Sequence, residues 1–213
     1  MTTESQRIRF SKMVKLAEVK RGESILDIGC WDKEILGFLP LASKITKIEG
    51  KDLKKTLDNI SSLYNYFGID KSHNPDKIWD VEKSGLPFDV LRKKWDVIFL
   101  GEVIEHIENH KTLLRDCRSC LSKNGRIILS TPLAWRFQIN TDTDHIHSFT
   151  PLNLRVLGDQ VGLKITEMIG SFIQIPYFNY RIPSNFIFYT NNLIVRYEKS
   201  NNKNNITKSC EVK

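Results

Sequence analysis

A short apolar strand that runs into a glycine-containing turn constrains the fold of this chain more than any other feature. The stretch Ser24-Ile-Leu-Asp-Ile-Gly-Cys-Trp-Asp-Lys33 has this form, and a helical pattern begins near Glu34. In an open α/β sheet, ligands bind beyond the carboxyl end of such a first strand, where backbone amides and a helix N-terminus converge. Asp27 and Gly29 are therefore expected at the edge of a ligand site.

The net charge of +7 belongs to the two ends of the chain. Met1 to Arg21 carries six Lys or Arg against two Glu, and Lys199 to Lys213 carries four Lys against one Glu. The body between them is neutral, so the composition predicts no basic groove for nucleic acid. Residues 200–213 are rich in Asn and Lys and are predicted to form a disordered basic tail.

The chain has the length of one α/β domain, and a second full domain would be cramped. Its N-terminus has no signal-like apolar segment, and no stretch has the length of a membrane span, so the predicted location is the cytoplasm. The four cysteines are few for a disulfide framework. Cys117 and Cys120 form a lone C-x-x-C pair. Leu113, Leu114, Cys117 and Leu121 share a helical face, which favours a core helix over a metal or redox site.

Strand-like and helical segments alternate along the chain. Amphipathic spacing predicts a helix within residues 1–21. After the first strand, further strands are predicted at Ile45–Ile48, Ile78–Val81, Trp95–Leu100, Arg126–Ser130, Leu163–Ile169 and Leu193–Tyr197. Helices are predicted at Lys33–Leu39, Leu53–Ile60, Lys111–Leu121 and Pro151–Val161, the last with Thr150 as its N-cap. This alternation indicates an α/β fold with a mostly parallel sheet.

Five sequence motifs follow one another in a characteristic order. They are Leu26-Asp-Ile-Gly-Cys30, Gly50-Lys-Asp52, Asp80-Val81, Trp95-Asp-Val-Ile-Phe-Leu-Gly-Glu-Val-Ile-Glu-His-Ile107 and Gly125-Arg-Ile-Ile-Leu-Ser-Thr-Pro132. From Glu23 to Met168 the chain resembles class I methyltransferases that depend on S-adenosylmethionine. The resemblance implies a Rossmann-like methyltransferase fold, with a mostly parallel seven-stranded sheet flanked by helices, in one domain over residues 1–199.

Two further similarities concern the acceptor of the methyl group. The segment Trp95–Ile107 is most similar to the small-molecule, ubiquinone-biosynthesis-like branch of the family. The segment Asp144–Pro151 resembles methyltransferases that modify sugars or polysaccharide ends. The aromatic-rich segment Ser171–Asn192 is expected to line or cover the acceptor pocket, to form a contact in a homodimer, or to be ordinary core under a long loop.

The resemblance implies S-adenosylmethionine as the cofactor, and several residues match its parts. Gly29 lets the backbone approach the ligand. Asp27 is expected to meet the amino group of the cofactor, directly or through water, or else to cap the next helix. An acidic residue about 20 to 25 positions later should bind the ribose hydroxyls. Glu49 and Asp52 compete for this role, and the motif Gly50-Lys-Asp52 favours Asp52.

Two later strand ends complete the predicted cofactor site. Asp80 is expected to face the adenine amino group with the Val81 backbone beside it, or to cap a turn. Glu102 follows the fourth strand, where a carboxylate would lie near the methionine end and the positively charged sulfonium.

The glycine turn departs from the family pattern. After Cys30 the family usually has Gly-x-Gly, whereas this chain has Trp31-Asp-Lys33. Trp31 is bulky where backbone normally approaches the cofactor, and Lys33 adds a cation near a sulfonium. Either the turn is reshaped and binding persists, which the retained acidic residues favour, or the cofactor site has been lost.

Three histidines are candidates for a catalytic role. His106 would take a proton from a substrate hydroxyl, or it packs at the start of a helix. His145 and His147 are separated by one residue and flanked by Asp142 and Asp144. They could supply a base on the substrate side or form a weak metal site. Two histidines in a loop without a fixed third ligand do not predict a metal site.

The sequence therefore predicts a methyltransferase that acts on a small molecule or a saccharide at an oxygen atom. Nucleic acid is not the expected partner. Two alternatives stay open at this point. The chain could be a non-catalytic methyltransferase-fold protein that serves in binding or assembly, or an RNA methyltransferase that docks through its basic ends.

Overall fold

A computed structural model describes residues 3–40, 59–134, 144–175, 180–185, 187 and 190–200. The strands are β1 (Ile25–Ile28), β2 (Tyr66–Asp70), β3 (Lys77–Ile78), β4 (Trp95–Gly101), β5 (Leu121–Pro132), β6 (Leu163–Gly170), β7 (Phe172–Ile175), β8 (Tyr180–Pro183) and β9 (Asn192–Lys199). The α-helices are α1 (Glu4–Ala17), α2 (Val81–Ser84), α3 (Phe88–Leu91), α4 (His110–Cys120) and α5 (Pro151–Gln160), and short 3-10 helices span Glu34–Phe38 and Ile104–His106.

Seven of these strands form one sheet in the order β3-β2-β1-β4-β5-β9-β6. They run parallel except for β9, which is antiparallel to both of its neighbours. Strands β7 and β8 form a separate antiparallel hairpin. The predicted α/β fold with a mostly parallel seven-stranded sheet is confirmed. The direction of winding changes between β1 and β4, which is where open α/β sheets bind ligands.

The core lies on both faces of this sheet. Along β4, Val97 and Phe99 contribute to one buried apolar cluster, whereas Ile98 and Leu100 contribute to the other. Successive side chains of a strand point to opposite faces, so a strand buried on both sides needs a continuous apolar run. Helix α1 packs on the first face and α4 on the second. Cys117 lies on the buried face of α4, as the core-helix interpretation predicts.

The second strand differs from the prediction. The strand that pairs with β1 is Tyr66–Asp70, which the sequence analysis did not place in the sheet. The predicted strand Ile45–Ile48 lies outside the described residues. The predicted extension of β3 to Val81 is wrong, because Val81 begins α2 instead.

Three other predicted segments are close to the observed ones. A five-residue 3-10 helix, Glu34–Phe38, stands where an α-helix was expected before Pro40. Strand β5 begins at Leu121, earlier than predicted, and its pairing with β4 is irregular between Trp95 and Val97. Helix α5 has the predicted cap, because the Thr150 side chain accepts a hydrogen bond from the Asn153 N–H. Within the described residues, no helix is long and apolar enough to cross a membrane.

Candidate functional site

A cavity of about 880 Å³ lies at the carboxyl ends of β1, β2 and β4 and is bordered by α1. Of the predicted cofactor residues, its lining includes Asp27, Gly29, Cys30, Trp31, Asp80, Val81 and Glu102. Glu49 and Asp52, the two candidates for the ribose, lie outside the described residues. The structure thus brings the described members together in one cavity, and their individual contacts with a cofactor stay predictions.

The turn after β1 requires glycine at its first position. Gly29 has a φ of +74°, and a Cβ atom there would lie 2.4 Å from Cγ2 of Val103. The N–H groups of Gly29 and Cys30 both donate to the Ile69 carbonyl, at 2.9 and 3.2 Å. The turn is therefore tied to β2 and packed too closely for a side chain at Gly29.

Trp31 and Lys33 keep a glycine-like backbone where the family has its two further glycines. Their φ angles are +52° and +59°, in the left-handed region. Trp31 is 54% exposed, and its ring stacks on His73 with centroids 3.5 Å apart. The Lys33 ammonium pairs with Asp76 at 2.5 Å and is not among the cavity-lining groups. Both residues therefore adopt backbone conformations that glycine adopts without strain, and the Lys33 charge is partly offset by a carboxylate.

Asp27 lies within β1 and is only 5% exposed. The Tyr66 hydroxyl donates a hydrogen bond to its Oδ2 atom at 2.7 Å. Burial raises the pKa of Asp27 to about 7, the Tyr66 bond opposes this change, and the Asp70 charge adds to it. The residue before the 3-10 helix is Lys33, without a side-chain cap, so the helix-capping interpretation of Asp27 is wrong.

Asp70 is an acidic cavity residue that the sequence analysis missed. It ends β2, the neighbour of β1, and accepts hydrogen bonds from the Trp31 N–H at 2.9 Å and the Ser72 N–H at 3.0 Å. The sequence Gly68-Ile-Asp70 has the Gly-apolar-Asp pattern that was assigned to Gly50-Lys-Asp52. This pattern was the available signal, but its distance from Asp27 exceeds the expected spacing.

Asp80 caps a helix and also lies at the cavity. Its Oδ1 atom accepts from the Glu82 N–H at 3.1 Å and so caps α2. Its Oδ2 atom lies 3.5 Å from the Lys83 ammonium. Asp80 and Val81 also line the cavity. The capping role is confirmed, and contact with adenine stays a prediction.

Glu102 is held by groups from three distant parts of the chain. Its carboxylate accepts from Asn192 Nδ2 at 3.0 Å to each oxygen and from the Ser130 hydroxyl at 3.2 Å. Arg9 of α1 lies 3.2 Å away as an ion pair, and within the described part of the chain its buried Nε atom has no hydrogen-bond partner. No local motif in the sequence marks Arg9 or Asn192, because their roles depend on long-range packing.

A second polar cluster lies next to Glu102. Glu105 is 1% exposed, and its Oε2 atom accepts from the Thr131 hydroxyl at 3.1 Å. Burial, followed by the nearby Glu102 charge, raises the pKa of Glu105 to about 8. His106 Nδ1 is 2.9 Å from the Asp144 carbonyl, and the His106 and His145 rings meet edge to face at 4.7 Å. Both histidines line the cavity.

His147 is placed differently from the other two candidate histidines. Its ring packs against His110 at 4.4 Å, and it is not among the cavity-lining residues. Burial, followed by the nearby His147, lowers the pKa of His110. The structure thus brings His106 and His145 together and separates His147 from them.

Comparisons with known structures agree with this arrangement. A chain from the complex of the Haloferax volcanii Trm112 methyltransferase activator with a methyltransferase aligns with a TM-score of 0.60 at 13% identity, over 93% of this chain and 95% of that one. An Archaeoglobus fulgidus SAM-dependent methyltransferase gives 0.57 at 16% identity, over 91% and 94%. Burkholderia thailandensis 1,6-didemethyltoxoflavin-N1-methyltransferase, with bound S-adenosylhomocysteine, gives 0.54 at 13% identity, over 92% and 80%. At these identities the likeness shows the fold.

Sequence comparison identifies the family. In the comparison with curated proteins, no sequence matches the chain. A family model described as a methyltransferase domain matches residues 5–168. This match includes β1 to β5 and most of β6, together with the described cavity-lining residues. The chain therefore belongs to this family of methyltransferase domains.

Proposed function

We propose that this protein binds S-adenosylmethionine in the cavity and transfers its methyl group to a hydroxyl of a small molecule or saccharide. One observation carries the proposal. Asp70 ends β2, Asp80 follows β3 and Glu102 follows β4, all at the same edge of the sheet. All three acidic residues line the same cavity. Across the sheet they lie in the order Asp80, Asp70 and Glu102, which matches the order of adenine, ribose and methionine in the cofactor.

The chemistry of each group fits its assigned part. Asp70 accepts hydrogen bonds from the ribose hydroxyls, because an ionised carboxylate has acceptor positions beyond its bonds to Trp31 and Ser72. Glu102 places negative charge beside the sulfonium. Arg9 offers its unpartnered Nε donor to the carboxylate of the methionine end.

The acceptor is assigned to the part of the cavity next to Glu105, His106 and His145. The cavity volume of about 880 Å³ is near the upper end of the range for small-molecule sites, so a cofactor and a small acceptor can share it. Methyl transfer is a displacement at carbon, for which alignment and one group that handles the acceptor proton suffice. This polar cluster suits a hydroxyl acceptor.

Calorimetric titration of the purified protein with S-adenosylmethionine and S-adenosylhomocysteine tests cofactor binding. We expect one site per chain and a thermal shift with either compound. An absence of heat and of thermal shift at millimolar ligand would refute the proposal and favour a non-catalytic assembly protein.

A panel of sugars, small phenols, lipids and RNA, with S-adenosylhomocysteine release as the readout, tests the acceptor class. We expect turnover with a hydroxyl-bearing small molecule or a saccharide. Turnover confined to RNA would instead support the nucleic-acid alternative.

A further inference from the structure

We propose that Glu105, His106 and His145 form a divalent metal site at the acceptor end of the cavity. Each side chain offers one ligand atom, and these three atoms lie within 4.8 Å of one another. Glu105 and His106 come from the segment after β4, whereas His145 comes from the loop before α5. Only one of the two loop histidines, His145, therefore belongs to the site, and the other two ligands come from a different part of the fold.

The buried carboxylate is the strongest evidence. Glu105 is 1% exposed, and only its Oε2 atom has a hydrogen-bond partner, Thr131, among the described residues. Its Oε1 atom is buried without one. A buried carboxylate oxygen without a partner is costly, and a metal ion beside it would remove that cost.

His106 has the orientation expected of a metal ligand. Its Nδ1 atom lies 2.9 Å from the Asp144 carbonyl oxygen, which can only accept a hydrogen bond. Nδ1 therefore carries the proton, and the lone pair is on Nε2. Histidines that bind metals usually make this second hydrogen bond to a carbonyl or a carboxylate, which fixes their tautomer and ring plane.

The backbone holds the two ligand segments together. The Glu105 carbonyl accepts from the Ile146 and His147 N–H groups, both at 3.1 Å. At the other end of the loop, the Ala134 N–H donates to the Phe149 carbonyl at 2.8 Å. His145 is therefore positioned against His106 by main-chain contacts, with their rings 4.7 Å apart.

The ligand set indicates a first-row transition metal. Two imidazoles and one carboxylate suit Zn²⁺, Fe²⁺ or Mn²⁺ better than Mg²⁺ or Ca²⁺, which prefer oxygen ligands. Three protein ligands leave a coordination position open, as in catalytic sites. Because His106 and His145 line the cavity, this position is available to a ligand in it.

The role of the metal in methyl transfer rests on the proposed function. An acceptor hydroxyl bound at the open position would release its proton to water. Its oxygen lone pair would then attack the methyl carbon while the carbon–sulfur bond breaks and leaves its electrons on sulfur. The products are the methylated oxygen and the neutral thioether S-adenosylhomocysteine.

Titration of the untagged, EDTA-treated and desalted protein with Co²⁺ tests the site, with visible absorption as the readout and Zn²⁺ calorimetry in parallel. We expect one equivalent of metal to bind. Glu105→Gln and His145→Ala should each weaken metal binding about tenfold or more. His147→Ala is the matched control, because it removes a histidine of the same loop whose ring packs on His110, and it should leave metal affinity unchanged.

Four results would overturn the proposal. The first three are no metal binding by the wild-type protein, equal affinity in all variants, and a loss of affinity in His147→Ala equal to that in His145→Ala. The fourth is normal metal binding by His145→Ala together with a fold change in metal-free Glu105→Gln, seen by circular dichroism, that accounts for its lower affinity. Titration of the EDTA-treated protein with S-adenosylhomocysteine separates this proposal from the proposed function. Cofactor binding without metal binding refutes only the metal site, and metal binding without cofactor binding refutes only the methyltransferase proposal.

Discussion

Asp70 ends the strand beside β1 and accepts the Trp31 N–H from the turn that follows β1. It thus joins the two strand ends between which the ribose of the cofactor is expected. A carboxylate that accepts hydrogen bonds from a ligand typically contributes about 1.5 to 3 kcal/mol. Glu49 and Asp52 stay predictions for the same role, so the effects of replacing each of the three residues on cofactor binding can be compared directly.

We expect Asp70→Ala to weaken S-adenosylhomocysteine binding by about 10- to 100-fold in calorimetric Kd. Asp89→Ala is the matched control, because Asp89 is an acidic residue paired with Lys77 and is not among the cavity-lining residues. It should bind as the wild type does. A larger loss in Asp52→Ala or Glu49→Ala than in Asp70→Ala would return the ribose role to the residues first predicted.

The buried carboxyl of Asp27 has a consequence for stability against pH. Its pKa is raised from 3.8 to about 7 in the folded state, chiefly by burial. Between these values the folded chain holds a proton that the unfolded chain has released, so this group lowers stability as pH rises from about 4 to 7. The full effect is on the order of 4 kcal/mol.

Asp27→Asn should remove this pH dependence, because the amide oxygen still accepts the Tyr66 hydroxyl and carries no titrating proton. We expect the difference in the free energy of unfolding, variant minus wild type, to rise between pH 4 and 7 and to stay level above. Urea unfolding at several pH values measures it. Parallel curves for the two proteins would show that Asp27 does not titrate in this range.

At the scale of elements, one lysine of α1 contacts two segments of the C-terminal part of the chain, at the end of β6 and after β8. The Lys12 ammonium donates to the carbonyls of Gly170 and Ser184, at 3.0 and 2.6 Å, and to Asn185 Oδ1 at 2.9 Å. Burial lowers the pKa of Lys12 to about 8, with the Lys15 charge adding to the effect. The same helix carries Arg9, which pairs with Glu102 in the cavity.

Replacement of this lysine by methionine keeps the length of the side chain and removes its three hydrogen bonds. We expect Lys12→Met to lower the free energy of unfolding by about 1 to 3 kcal/mol at pH 7, measured in urea. Lys15→Met, on an exposed position of the same helix, should change it by less than about 0.5 kcal/mol. Equal effects of the two substitutions would show that the contacts of Lys12 do not stabilise the fold.

The elements differ in how far the sequence could predict them. Strand β4 and helix α5 were predictable, because a continuous apolar run and a Thr-Pro start have local causes. Strand β2 was missed because the expected spacing pointed to an earlier Gly-x-Asp motif. The ion pair of Arg9 with Glu102 and the approach of His145 to Glu105 depend on tertiary packing, which no local pattern reports.

At the scale of the whole molecule, residues near both ends of the described chain contact Glu102 at the cavity. Arg9 comes from the first helix and Asn192 from the last strand, and both contact Glu102 after β4. The antiparallel insertion of β9 between β5 and β6 is what brings Asn192 to this position. The order of the sheet, rather than a single motif, therefore assembles the polar part of the site.

Deletion of the basic tail tests whether stability and cofactor binding depend on it. The last strand, β9, ends at Lys199, whose ammonium donates to the Leu121 carbonyl at 2.8 Å. The Ser200 N–H donates to the Gly162 carbonyl at 3.0 Å. Deletion of residues 201–213 removes three lysines and one glutamate. We expect the melting temperature and the cofactor affinity to stay unchanged.

The same truncation decides the nucleic-acid alternative. Binding of a protein to RNA through basic ends should weaken with each lost lysine and depend steeply on salt. Because the body of the chain is neutral, we expect fluorescence anisotropy to detect no RNA binding at physiological salt by either form. An RNA affinity that the full chain has and the truncated chain lacks would make the tail a docking segment and RNA the acceptor to examine first.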